Sequence, residues 1–156
     1  MKQILQVVVF AGFASGIMLA QSDPFAGTWK MNPAKTKYSP APAPNSTSQT
    51  YEAQGNGVKF SSEGTAADGS RVAWSYTANY DGKDNPISGM GPNGADTIAL
   101  KRINANTIES TTKKAGKVVA TARLVVSKDG KVTTITVKGT NTTGPAVNNT
   151  IVFDKQ

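Results

Sequence analysis

Ser110-Thr111-Thr112-Lys113 has the spacing of a serine nucleophile activated by a lysine three residues on. That pairing works on a helix, where residues three apart share a face; on a strand, which is what the surrounding alternation predicts, the two side chains point to opposite sides. The chain contains no histidine and no cysteine. A Ser-His-Asp or Cys-His nucleophile is therefore excluded, and the nitrogen and sulfur ligands that usually hold zinc or copper are missing. A glycosidase would need two facing interior carboxylates. Asp68, Asp81 and Asp129 each begin an Asp-Gly turn, Asp96 follows an Asn-Gly, and Glu63 and Glu109 fall on outward faces of their strands. Asp81, Asp84 and Asn85 could ligate a cation, but no calcium loop closed by a glutamate follows them. The expectation is a protein that is not an enzyme and has no cofactor and no metal site.

Binding chemistry is better represented. Phe60, Trp74, Tyr76 and Tyr80 share the apolar parity of their strands, joined by Leu100, Leu124 and Phe153 on others. Such a set either fills a small β-fold or lines a pocket in it, and the residue types suit both. Arg102 follows Ile98 and Leu100 on one face, so its guanidinium either needs a partner inside or sits at the strand end in water. Lys113, Lys114 and Lys117 surround one turn, Lys128 and Lys131 the next. They lack the interleaved aromatics that stack on bases, so no nucleic-acid partner is expected.

The elements that position these residues are short. From Thr47 onward, alternating segments are separated by turn dipeptides such as Asp68-Gly69, Asp81-Gly82, Asn93-Gly94, Asp129-Gly130 and Gly144-Pro145. Strands are predicted over Thr47 to Ala53, Val58 to Gly64, Arg71 to Tyr80, Pro86 to Met90, Thr97 to Ile103, Thr107 to Lys113, Val118 to Ser127, Lys131 to Gly139 and Val147 to Asp154, after a first at Gly27 to Asn32. Parity places Val118 inside with Ala120, Ala122, Leu124 and Val126. One apolar face per strand, repeated in sequence, predicts an all-β fold: an up-and-down antiparallel meander closing into an 8–10-stranded barrel, with a two-sheet sandwich as the alternative. Four prolines (Pro33, Pro40, Pro42, Pro44) stiffen the connection between the first two strands. That connection reads as a surface connector or as a loop over the barrel mouth, with Tyr38 its one aromatic anchor and its amides the least protected of the domain.

Residues 1–20 read as a signal peptide, with Lys2 before an apolar run and Ala20 at the cut, and residues 21–156 as a single domain. The apolar run is short for a membrane span, so no integral span is expected in the mature chain. An exported, periplasmic or secreted monomer follows. The net charge of +7 would draw it to anionic envelope polymers. The Asn45, Asn141 and Asn148 sequons read as loop asparagines outside a eukaryotic secretory path.

Gly27-Thr28-Trp29-Lys30 resembles the calycins. Lipocalins carry Gly-x-Trp on the first strand, fatty-acid-binding proteins open with Gly-Thr-Trp-Lys, and Thr150 to Lys155 is similar to the last strand of the latter. The chain also looks like secreted bacterial lipocalin-like proteins that begin Gly-Thr-Trp-Lys-x-Asn-Pro-Ala-Lys. The resemblance implies a barrel whose end is closed by Trp29 under a cation, for which Lys155, Lys138 and Arg123 are candidates. It also implies a small apolar or amphipathic ligand inside, with Phe60, Trp74, Tyr76, Tyr80, Leu100, Arg102, Leu124 and Phe153 as candidate contacts. Ile151 and Phe153 stand where fatty-acid-binding proteins place the arginine and tyrosine of their carboxylate clamp, so that anion site is missing. The alternative is an envelope protein with a filled barrel that contacts anionic polymer or protein through its basic surface.

Overall fold

The computed structural model describes residues 22–140 and 146–156; the leader expected over residues 1–20, Asn141 and the Gly144-Pro145 turn lie outside them. Eleven strands among the described residues form one antiparallel sheet: β1 (Gly27–Met31), β2 (Ser46–Gln54), β3 (Gly57–Thr65), β4 (Arg71–Asn79), β5 (Asp81–Pro86), β6 (Ser88–Gly89), β7 (Thr97–Asn104), β8 (Thr107–Lys114), β9 (Lys117–Val126), β10 (Val132–Thr140) and β11 (Ala146–Lys155). In space they run β5, β7, β8, β9, β10, β11, β1, β2, β3, β4, β6. β1 pairs with both β2 and β11, so the first strand joins the two halves of the sheet into a nearly closed barrel. A single sheet rolled in this way buries one apolar face per strand without a second layer, and no sandwich forms.

The core follows the period-two pattern. Val58, Phe60, Tyr76, Ala78, Ile98, Leu100, Ile108, Leu124, Val126, Ile135 and Phe153 are buried in one cluster with Phe25, Trp29, Met31 and Tyr51. Polar residues occupy the outer face, where Glu63 meets Arg71 and Glu109 meets Arg123.

Two sequence expectations are corrected, both by bulges. Asp81-Gly82 does not end a hairpin. The chain turns away from β4 at Tyr80 and pairs as β5 with β7, its register slipping by one residue between Asp81 and Asp84, where Gly82 takes φ +76°. That left-handed backbone suits glycine and makes the bulge. The strand expected over Pro86 to Met90 is consequently the end of β5 plus the two-residue β6, which pairs with β4, and the strand count is eleven. The second bulge lies opposite Thr112 and Lys113, which pair with Ala120 and Val118, leaving Val119 as the extra residue. One added residue reverses parity, so Val119 is buried and Val118 is 52% exposed.

Candidate functional site: a chamber behind a mouth

The two ends of the barrel differ. At one, residues 23–26 fold back as a plug: Asp23 Oδ1 accepts from Phe25 N at 3.0 Å, and Trp29 Nε1 donates to the Phe25 carbonyl at 2.8 Å. Phe25 and Trp29 are each 1% exposed. Lys155, the register partner of Trp29, holds its Nζ 5.0 Å from the centre of the indole ring. Gly27 has φ +121°, a backbone that favours glycine, and a Cβ there would crowd the end of the Lys155 side chain at 3.0 Å. Lys138 and Arg123 are elsewhere: Lys138 is register partner to Asn148 on β11, and Arg123 bonds Glu109 at 2.7 Å.

Arg102 belongs to this plugged end. Its Nη2 donates to Asp23 Oδ2 at 2.5 Å and its Nη1 to the Ala105 carbonyl at 3.1 Å, while the guanidinium lies 4.2 Å from the Tyr80 ring centre and 5.6 Å from that of Phe25. These contacts tie the guanidinium to the plug and to the Ala105 carbonyl. Neither Arg102 nor Tyr80 lines the chamber described next. The partner that the sequence demanded for a half-buried guanidinium is Asp23, an acid just ahead of the first strand.

The other end is open. Behind it lies an apolar chamber of about 120 Å³ whose wall includes Tyr51, Phe60, Trp74, Tyr76, Leu100, Ile108, Leu124 and Ile135. Phe60 stacks on Tyr76 with ring centres 4.7 Å apart and meets Trp74 at the same distance, and the Tyr51 ring stands edge-on to it at 4.9 Å. These contacts make one aromatic wall running from β2 to β4. Among the described residues no charged side chain lines the chamber; its polar groups include Gln49, Tyr76, Ser110 and Thr112. Burial raises the Tyr76 hydroxyl well above its usual value of 10.0, and Tyr51 likewise, so both rings are neutral at any physiological pH.

The chamber adjoins a wider mouth of about 470 Å³, and Gln49, Trp74, Pro92, Asn93, Val137 and Ile151 line both. The mouth adds Tyr38, Pro44, Met90 and Phe153, and Glu63 is the single charged residue of its wall among those described. A short 3-10 turn, Pro92–Gly94, folds over the junction. Of the sequence candidates, Phe60, Trp74, Tyr76, Leu100 and Leu124 therefore meet at the chamber, Phe153 and Tyr38 at the mouth, and Tyr80 and Arg102 at the plugged end. Sequence reasoning missed Gln49 and the Pro92-Asn93 pair. Gln49 shares the parity of Tyr51 and was detectable from alternation, whereas Pro92-Asn93 reads as a turn whichever way it folds.

Tyr38 is held more firmly than a free loop would be. After β1 the chain continues along β11: Asn32 N donates to Val152 O at 2.8 Å, Val152 N to Thr36 Oγ1 at 3.1 Å, Lys37 N to Thr150 O at 2.7 Å, and Thr150 N to Lys37 O at 2.8 Å. Ser39 N then bonds Asn149 Oδ1 at 3.0 Å. The expectation of poorly protected amides throughout the connection is thus corrected for residues 32–39, which form a strap that also covers Val152 on the outer face of β11.

The residues that suggested chemistry are dispersed. Ser110 is buried inside the barrel, while Lys113 points outward to Asp84 at 2.7 Å. Asp81 Oδ1 accepts from Lys83 N and Asn85 Nδ2 donates to Lys83 O, within β5, while Asp84 is the partner of Lys113 on β8. No helix among the described residues is long and apolar enough to cross a membrane.

The fold is similar to that of zebrafish ileal bile acid-binding protein, solved in complex with cholic acid: TM-score 0.52 at 9% sequence identity, covering 85% of this chain and 99% of that one. No family model matches the sequence, and no curated protein does at a significant level.

Proposed function

We propose that this protein is an exported, non-enzymatic binding protein that takes up a small neutral amphipathic molecule, its narrow apolar part in the chamber and its polar part at the mouth. The observation that carries this reading is the continuity of an uncharged, aromatic-walled chamber with a mouth that opens to solvent. A chamber of about 120 Å³ is close to the size of apolar cavities that accept one benzene ring, so it selects a single ring or a short chain. A steroid-sized body must remain in the mouth. Fatty carboxylates are disfavoured, because Ile151 and Phe153 line the mouth and no cation lines it to receive the anion among the described residues. The barrel fold shared with a protein solved with cholic acid supports internal binding as a class. Export rests on the leader-like residues 1–20.

The modest chamber favours one other reading, a filled barrel whose exposed lysines contact anionic envelope polymer. Native mass spectrometry of protein purified from its own host separates the two. The first reading predicts a co-purified neutral molecule at one per chain. Bare protein that also fails to take up any neutral amphiphile in vitro would overturn it.

A further inference from the structure

Gln49 stands at the junction of chamber and mouth, the side chain least expected in an otherwise aromatic wall. It is 9% exposed, in a cross-strand row with Trp29, Ser62 and Trp74. Tyr51, two residues on along the same face, donates its hydroxyl to Gln49 Oε1 at 3.0 Å. In this orientation the amide oxygen is taken by the hydroxyl. With Oε1 turned to Tyr51, the Nε2 group is left with two N–H donors, and none of the described residues accepts from it. Nε2 is not sealed off from solvent: water from the mouth can meet it in the empty barrel, and an acceptor oxygen of a ligand would take that water's place.

We propose that Gln49 is the polar anchor of the ligand site, donating from Nε2 to a carbonyl, ester or other neutral acceptor oxygen placed next to the ligand's apolar tail, with Tyr51 as the residue that positions the amide. This inference rests on the reading of the chamber as a ligand site. It narrows the ligand class from any neutral amphiphile to one whose acceptor oxygen directly follows a single ring or short chain, because the chamber behind Gln49 has room for no more. The amide offers only donors to the cavity, so an alcohol or amine ligand gains a bond only through its lone pair, and a hydrocarbon leaves the donor unmet.

Acetophenone and ethylbenzene test this as a matched pair: the same ring and nearly the same length, one with a carbonyl at the predicted depth. NMR titrations of the full chain give the ratio of their dissociation constants. Gln49→Met, of similar shape, and Tyr51→Phe, which leaves Gln49 in place, are measured alongside. One neutral hydrogen bond corresponds to roughly a 3- to 10-fold effect. The wild-type preference for acetophenone should fall by that factor in Gln49→Met, and partly in Tyr51→Phe. Ethylbenzene binding should be unchanged or tighter in Gln49→Met. Both compounds binding with a ratio that neither substitution alters would overturn the anchor and leave the chamber as a ligand site. Binding of neither compound to any of the folded proteins would overturn both.

Discussion

Trp29 and Arg102 show how single residues close one end of the barrel and so define the other as the entrance. Trp29 is packed beneath Lys155 and hydrogen-bonded to the Phe25 carbonyl, and truncation would leave both a cavity and an unpaired acceptor. Trp29→Ala should therefore lower unfolding free energy by about 3–5 kcal/mol, read from denaturant midpoints; a loss below about 1 kcal/mol would remove the ring from the core. Arg102 is tied to Asp23 in a part-buried pair, with the two side chains 25% and 19% exposed. Arg102→Leu strands that acid at a cost of about 1–3 kcal/mol, between the values for exposed and fully buried pairs, and should leave ligand affinity unchanged. A fall in affinity without a fall in stability would place the guanidinium in the site instead. Residue types alone left open whether Arg102 would be enclosed with a partner or sit at the strand end in water. Its partner was not legible, because Asp23 lies 79 positions away in the chain and meets it only after the barrel closes.

At the scale of elements, alternation located nearly every strand to within a residue or two and assigned the inward face of most regular ones, though not of β2. It failed where an extra residue entered a ladder. A bulge reverses parity without any compositional mark, so Val118 and Val119 are interchangeable on the page and opposite in space. The proline-rich connection was misjudged for a different reason. Prolines forbid a regular ladder of their own, yet residues 32–39 contain only Pro33, and their free amides reach β11 beyond the point where β1 stops. Hydrogen exchange should accordingly divide this connection: the Lys37 and Ser39 amides protected, those of Ala41 and Ala43 exchanging freely. Uniformly fast exchange from Thr36 to Ala43 would mean that the strap is not fixed and that Tyr38 is a moving part of the mouth.

For the whole molecule, a barrel without cysteine depends on continuous pairing and an aromatic core, and its four tyrosines, three at the core and Tyr38 on the strap, give the fold a pH limit. Burial pushes the Tyr38 hydroxyl up to about 12, and Tyr51, Tyr76 and Tyr80 are also raised by burial above their usual 10.0. A hydroxyl held protonated in the fold but ionising near 10 in the unfolded chain contributes stability that is complete below pH 10. That contribution is lost as pH rises from there through the folded value. Thermal midpoints should thus fall steeply above about pH 10, with tyrosinate absorbance appearing together with unfolding. Tyrosinate formation at pH 10 in a protein that stays folded would show the rings to be solvated. The barrel class was legible in the sequence because it rests on a repeated local pattern. The depth of the chamber was not, since it depends on how far rings from opposite strands reach across the interior.

The central claim, an uncharged chamber that takes a ligand through the mouth, is met most directly by titrating the full chain with the neutral fluorophore N-phenyl-1-naphthylamine, alongside Ala122→Phe. Ala122 lines the chamber, and a phenyl group there would occupy the space at a typical cost of about 1–3 kcal/mol in stability. The account predicts saturable one-to-one binding to the wild type and at least a tenfold loss in the folded variant, about 1.4 kcal/mol or more. Absence of saturable binding, or equal binding by both proteins, would contradict it.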